Sequence, residues 1–417
     1  MSEARSSSAL RADILETTCC VVGAGPGGAI LSLLLARQGI DVTLLEAQED
    51  FDRDFRGDTI HPNVLHLMDE LGLVERLLQL RHTKLSTVSF QTSDGPFLAA
   101  DLRRVEDRFP YIMMVPQARF LEFITNEAKK FPNFRLLLGA SAQELIEENG
   151  IVRGVRYRSD RELHEVRALL TVGADGRSSR LRRLADVEPV KTSVPMDILW
   201  FRIPREANDP EGVLGRFGRG HGLVMLDRLT EWQVGFLILK GSYGEIRAAG
   251  IESLRRSIAE MAPEFADRLG HLQDWKQVAA LSVESSRVPC WYKPGLLLIG
   301  DAAHVMSPVG GVGINYAIQD GVVAANVLSA PLKAGTVTTD QLREVQEQRE
   351  FPTKVIQWIQ SQAQKRIVGA ALRSDRPLQI PWYVRLLLRV PIIRDLPARV
   401  IAHGVKTVHI DPKILNS

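Results

Sequence analysis

The chain of 417 residues, 45% hydrophobic and 24% charged, has enough apolar mass for two or three packed domains of ordinary globular composition. Its 52 basic residues are matched by 50 acidic ones, which leaves little of the cationic excess that nucleic-acid binding draws on. Cys19, Cys20 and Cys290 form no CxxC or Cys/His cluster, so no metal is indicated and a reducing, cytoplasmic setting is. Residues 1–18 are too polar for a signal peptide, and no apolar run nears the ~18 residues of a membrane-spanning helix.

Residues 19–22 read as a buried strand with both cysteines in the core. Gly23-Ala24-Gly25-Pro26-Gly27-Gly28 follows, in which Gly23, Gly25 and Gly28 fit G-x-G-x-x-G. The next helix is apolar at Ile30, Leu33 and Leu34 and stops at Gly39, and a second strand over 42–45 ends at Glu46. Strand, glycine turn, helix, strand and acidic residue together make a dinucleotide fingerprint. The glycines let a pyrophosphate approach the backbone, and Glu46 accepts from a ribose hydroxyl. The fingerprint alone does not separate NAD from FAD. Instead of further βαβ units comes a charged loop at 52–58, where Arg56 faces either a cofactor or solvent.

A helix is predicted over 62–78, strands near 85–90 and 111–115 with an irregular polar stretch between them, and a helix just after Gln117. Short apolar runs between 136 and 172, broken by Glu148-Asn149-Gly150 and Ser159-Asp160, predict a small antiparallel insert. It ends in Gly173-Ala174-Asp175-Gly176, which sets a carboxylate beside a tight turn. From 185 to 286, aromatic-rich strands predict an antiparallel sheet, with pocket walls at Trp200, Phe201, Arg202, Met225 and Phe236.

Residues 296–315, LLLIGDAAHVMSPVGGVGIN, run from a short buried strand through Gly300-Asp301 into a second glycine loop, and a helix starts near Gly313. Such a loop presents unpaired N–H groups backed by the positive end of the helix dipole, a seat for negative charge. Residues 340–372 are predicted helical. From Arg376 onward, seven Lys/Arg against two Asp are interspersed with apolar residues. That pattern suits either an interfacial segment over 377–410 on anionic lipid or a helix pair packed on the protein.

Three stretches in order, GAGPGG with Glu46, GADGRSSR at 173–180 and GDAAHVMSPVGGVGIN at 300–315, resemble the class A flavoprotein monooxygenases, the para-hydroxybenzoate hydroxylase-like family, over residues 17–350. The resemblance implies an α/β fold with a Rossmann-like FAD-binding domain, discontinuous over 14–84, 111–185 and 285–335. An antiparallel-sheet substrate-binding domain is expected over 85–110 and 186–284, and a C-terminal helical region with a basic apolar tail over 336–417. The resemblance also implies non-covalent FAD, with NADPH or NADH as transient donor. A flavin C4a-hydroperoxide would then pass one oxygen of O2 to an aromatic, quinone-like or polycyclic substrate.

Against the cofactor the resemblance places Gly23, Gly25, Gly28, Glu46, Ala47, Arg56, Gln117, Asp175, Asp301, Pro308, Gly311, Gly313, Ile314 and Asn315. Asp301 would contact the ribityl or pyrophosphate portion, the backbone at 313–315 the pyrimidine edge, and Pro308 the substrate side. Val312 stands where some relatives carry a polar or basic residue. No catalytic acid or base is assigned; His61 and His221 are candidates without a defined role, and His304 is expected to be structural. Two other functions stay open: a flavin-dependent reductase or dehydrogenase of a prenyl or polyene lipid, and a non-enzymatic lipid-binding escort, which the intact glycine loops disfavour. The expected partners are a hydrophobic or aromatic small molecule and O2, without nucleic acid. The expected location is cytoplasmic, peripheral to the inner membrane face if the tail binds lipid, and no oligomeric state is indicated.

Overall fold

The computed structural model describes residues 14–52, 59–92, 95–210, 212–218, 220–373 and 386–415. Its first layer is an eight-stranded sheet whose parallel centre comprises Phe134–Leu137, Val42–Leu45, Ile14–Val22, Glu162–Gly173 and Leu296–Leu298. Parallel strands need crossovers and are covered on both faces, which is why these segments are near-continuous apolar runs. Cys19 and Cys20 illustrate the pleat. They point into different clusters on opposite faces, both at 0% exposure, and burial pushes the Cys19 thiol up to about 12. They are packing residues.

Glu162–Gly173 is twelve residues long and belongs to two structures at once. Its first half pairs antiparallel with Ile151–Ser159, which pairs in turn with Ser141–Glu148, while its second half joins the parallel centre. The antiparallel insert is therefore a continuation of the main sheet.

A second sheet of seven strands runs in the order Ala279–Leu281, Met196–Pro204, Glu231–Leu239, His221–Asp227, Val213–Gly218, Thr87–Thr92 and Gly95–Asp101. One face packs on the helix Ile251–Met261 and the 3-10 segment Pro263–His271 through Phe201, Met225, Trp232, Phe236, Ile258 and Phe265. The stretch predicted as irregular contains the edge strand Gly95–Asp101. Pro96 disguises it in sequence, yet at an edge the missing N–H of proline removes no interior ladder bond. The helix predicted over 62–78 is two, Pro62–Glu70 and Val74–Leu77, because Gly72 turns the chain at φ +69° between them.

Three residues join the last parallel strand to the long helices Gly313–Lys333 and Thr339–Ala363. Asp320, at 0% exposure, accepts from the Gly300 backbone N–H (2.9 Å), from His304 Nε2 (2.6 Å) and from Arg349 Nε (2.7 Å). Burial pushes its carboxyl up, and His304 and Arg349 more than reverse this, holding it below the usual carboxylate range. Arg349, also at 0% exposure, lies over the Tyr316 ring at 5.3 Å.

The C-terminal residues described, 386–415, include the helix Pro391–His403, anchored by buried Ala398 and Ala402. Beyond it, Ile410 and Ile414 are buried, and Glu70 Oε2 accepts from the Ile410 N–H at 2.8 Å. Gln38 Nε2 donates to the Ile414 carbonyl at 2.8 Å. Residues 410–414 thus pack against the first layer and its helices.

Arg349→Met is expected to cost about 3–5 kcal/mol, because it strands a buried carboxylate. Asp320→Leu/Arg349→Met should cost less than the sum of the two single changes. Denaturant midpoints of the three variants check both statements.

Candidate functional site

Four parallel strands end on the same side of the sheet, and the residue after each turns into one cavity of about 730 Å3: Gly23 after Val22, Glu46 after Leu45, Ala174 after Gly173, and Ile299 after Leu298. The carboxyl ends of parallel strands are where an open α/β sheet leaves room for a ligand. The second sheet supplies the opposite wall, through Trp200, Leu226, Gln233 and Leu281.

At the fingerprint end, Glu46 is fixed by backbone donors, Ala24 N–H to Oε2 at 3.0 Å and Gln48 N–H to Oε1 at 3.1 Å. Asp175 binds its own turn, accepting from Ser179 Oγ (2.5 Å) and from the backbone of Arg180 (2.6 Å) and Leu181 (3.0 Å). It therefore shapes the wall as well as lining it. Arg182, reaching from behind, donates to the carbonyls of Asp301 (3.4 Å) and Ala302 (3.0 Å) and so holds the Gly300–Ala302 turn. Gly23, Gly25, Glu46, Ala47, Gln117, Asp175, Asp301, Pro308, Gly311, Gly313 and Ile314 all line this one cavity.

Three expected residues stand apart. Gly28 does not line the cavity; a Cβ there would lie 2.1 Å from the Gly23 carbonyl oxygen, so its smallness serves helix-to-turn packing. The Asn315 side chain is buried behind the loop, accepting from the His61 N–H (2.8 Å) and donating to the carbonyls of Thr59 (3.0 Å) and Gly311 (3.1 Å). Arg56 lies outside the described residues. Val312 is buried with Met306, Tyr316 and Ile356 and does not line the cavity.

The loop from Val305 to Gly311 is held by side chains that motif reading passes over. Gln357 Nε2 donates to the Val305 carbonyl (3.1 Å), and Gln360 Nε2 to those of Ser307 (2.9 Å) and Val309 (2.7 Å). Gln364 bonds the Ser307 hydroxyl. These belong to a stripe, Gln346, Arg349, Thr353, Gln357, Gln360 and Gln364, that is buried throughout. Its helical spacing is legible in sequence and is the signal that would have identified it. On the other side Thr59 Oγ1 donates to the Gly311 carbonyl at 2.8 Å. Gly311 itself has φ +62°, and a Cβ there would stand 2.5 Å from Thr59 Oγ1, so only glycine fits.

Two helix starts in the lining suit an elongated anion. The helices Pro26–Arg37 and Gly313–Lys333 both start at the cavity, and neither has a side-chain cap or an acidic residue in its first turn. Two sets of first-turn N–H groups with their dipoles uncompensated therefore border one space, as a pyrophosphate at one end and an electron-rich ring at the other require.

The candidate histidines do not line it. His304 is committed to Asp320. His221 is partly buried against Phe236, 4.6 Å between ring centroids, and burial lowers its pKa. His61 begins the helix Pro62–Glu70, with Nδ1 3.1 Å from the Ile401 carbonyl, and burial pulls its pKa down to about 4.

Of the expected pocket wall only Trp200 lines the cavity. Phe201, Met225 and Phe236 point to the helix-covered face, and Arg202 pairs with Glu231 at 3.3 Å. Neighbours in a strand face opposite ways, and local sequence does not say which face meets the ligand.

Residues 16–358 match a family model described as an FAD binding domain. The chain is 31% identical over 401 residues to 6-methylpretetramide 4-monooxygenase of Streptomyces rimosus, covering 96% of this chain and 95% of that one. It is 27% identical to digeranylgeranylglycerophospholipid reductase of Methanocella arvoryzae, over 78% of this chain and 81% of that one. Among solved structures, OxyS anhydrotetracycline hydroxylase from Streptomyces rimosus matches with a TM-score of 0.72 at 23% identity, over 93% of this chain and 76% of that one, a likeness of fold.

His61 yields a pH prediction. Its folded pKa is below the free value of 6.5, so the unfolded chain takes up a proton first and stability falls as the pH drops from 6.5 towards about 4. The full loss is about 3 kcal/mol. His61→Gln should flatten this part of the curve, measured as denaturant midpoints between pH 7 and 5.

Proposed function

The chain belongs to the FAD-binding-domain family of class A flavoprotein monooxygenases, and on that premise we propose that it hydroxylates an aromatic or polycyclic small molecule, using O2 and NADPH or NADH. The observation that carries this reading is the single cavity joining a dinucleotide turn, an uncapped helix start at Gly313 and a largely apolar wall on the second sheet. FAD, when bound, supplies two-electron exchange with the nicotinamide and activation of O2.

The protein's own part is positioning and dryness. Gly23 and Gly25 bring backbone N–H groups to the pyrophosphate, and Glu46 takes a ribose hydroxyl. Ala47, Gln117, Asp175 and Asp301 border the same path. Gly311, Gly313 and Ile314 present backbone to the ring system, where the helix start stabilises negative charge. Pro308, Met306, Leu226 and Leu281 give the substrate an apolar seat that excludes water. Gly28, Asn315 and the glutamine stripe act one layer behind, keeping turn and loop in place.

Reduction of a prenyl lipid is a competing reading, supported by the likeness to the digeranylgeranyl lipid reductase. Purified holoprotein given NADPH or NADH with a panel of phenols, quinones and polycyclic aromatics separates the two. The expected result is substrate-stimulated oxygen uptake and a product one oxygen atom heavier. Reduced flavin that delivers hydride equivalents to a polyprenyl alkene without oxygen incorporation would replace hydroxylation with reduction.

No helix among the described residues is long and apolar enough to cross a membrane. We read residues 386–399 as a peripheral contact with anionic lipid, because Leu386, Leu387, Ile392 and Leu396 are exposed beside exposed Arg389 and Arg399. Flotation with phosphatidylserine-containing vesicles should recover the protein, and Ile392→Asp/Leu396→Asp should leave it in solution. Equal recovery of both proteins rejects the contact.

A further inference from the structure

We propose that a second cavity, next to the cofactor cavity and lined by Arg81, Arg119 and Arg228, binds the 2′-phosphate end of the nicotinamide donor, so that this chain takes NADPH in preference to NADH. This rests on the reading of the protein as an NAD(P)H-driven enzyme and chooses between its two donors.

The cavity holds about 540 Å3. It lies between the small sheet of Thr59–Ile60, Ile112–Met114 and Thr83–Leu85 and the hairpin turn 227–230 of the second sheet. Its lining and that of the cofactor cavity are one step apart at three places. Pro116 lines this cavity and Gln117 the other, and Asp227 lines this one and Leu226 the other. Thr59 lines the cofactor cavity, and Met114, which it pairs with across the ladder, lines this one. A dinucleotide anchored here by one end is within its own length of the cofactor cavity.

Three arginines from three separate segments converge on this space, and the one acid in its lining is Asp227. That acid is 4% exposed and already engaged: Oδ1 accepts from the Leu229 N–H at 2.8 Å and stands 3.3 Å from Arg205 Nε. The arginines are less fully compensated. Arg81 is exposed and has no acidic partner among the described residues. Arg119 pairs with Glu122 at 2.9 Å, but both side chains are exposed, and such a contact is worth little in water. Burial pushes the Arg228 guanidinium below its usual range, and Glu231, which opposes this, also pairs with Arg202 at 3.3 Å.

This charge calls for a compact dianion. A phosphate monoester carries about two negative charges at neutral pH, and guanidinium forks match its oxygens two at a time. NADPH and NADH differ by that group alone, whereas the pyrophosphate is common to both. NADH would set a ribose hydroxyl among three cations and neutralise none of them. Leu80, Met114, Val115 and Leu229 give the adjoining adenine an apolar seat, which a free phosphate would leave unused.

The test titrates adenosine 2′,5′-bisphosphate, adenosine 5′-monophosphate and inorganic phosphate into the full-length FAD-loaded protein by calorimetry. Melting temperature and FAD content report the integrity of each variant. The bisphosphate should bind about 10- to 100-fold more tightly than the monophosphate, and inorganic phosphate should bind more weakly than the bisphosphate. Arg81→Ala/Arg119→Ala, at two exposed positions, should remove that preference and lower kcat/KM for NADPH about 10-fold more than for NADH. Arg81→Lys/Arg119→Lys, which keeps the charge without the fork, should recover part of the loss. Equal affinity for bisphosphate and monophosphate, an unchanged preference in Arg81→Ala/Arg119→Ala, inorganic phosphate bound as tightly as the bisphosphate, or equal losses with NADPH and NADH overturns the proposal. Oxygen uptake that persists in those cases leaves the monooxygenase reading standing. Calorimetry needs no turnover, so the expected bisphosphate binding without oxygen uptake on any substrate removes that reading and keeps this site.

Discussion

The buried carboxylate of Asp320 ties together the parts on which the site depends. One oxygen accepts from Gly300 and His304, at the end of the last parallel strand, and the other from Arg349 on the helix Thr339–Ala363. The partners come from two segments, 300–304 and the helix Thr339–Ala363, so the charge is satisfied only when the strand end and both helices are docked. Removing two charges from water costs about as much as their attraction returns, so such a pair contributes little net stability. What it contributes is a unique arrangement, since any slip leaves a charge uncompensated in a dry interior.

Around this centre the protein separates two jobs. Side chains set the positions, and the backbone faces the ligand. Asn315 and Thr59 hold Gly311 from one side, and the glutamines of Thr339–Ala363 hold Val305–Val309 from the other. Arg182 holds the Gly300–Ala302 turn. Most of these groups face away from the cavity, which leaves amide N–H groups and small residues to border it. Fixed dipoles need no reorganisation when charge develops, so rigidity behind the loop is the property the site requires.

The two sheets divide recognition accordingly. The parallel sheet ends in turns that repeat one solution, a glycine or an acidic residue at a strand terminus, suited to a phosphate-bearing cofactor. The antiparallel sheet gives one face to a hydrophobic core and the other to the cavity.

Much of this was legible in the linear chain. G-x-G-x-x-G followed by a helix and Glu46 states its own geometry, because positive φ, close approach and an acceptor at a fixed distance are all local demands. The loop at 300–315 announces a helix start for the same reason. Which face of a strand meets the ligand was not legible. Trp200 and Phe201 are chemically alike and adjacent, and only the packing of Ile251–Met261 against the sheet assigns one to the cavity and the other to the core. That the polar stripe of Arg349 and the glutamines is buried, and that the Asn315 side chain lies behind the loop, is decided by the fold. Backbone conformation follows from neighbours a few residues away, so sequence determined the turns and loops. The direction each side chain faces follows from segments hundreds of residues apart, and only the tertiary structure decided that.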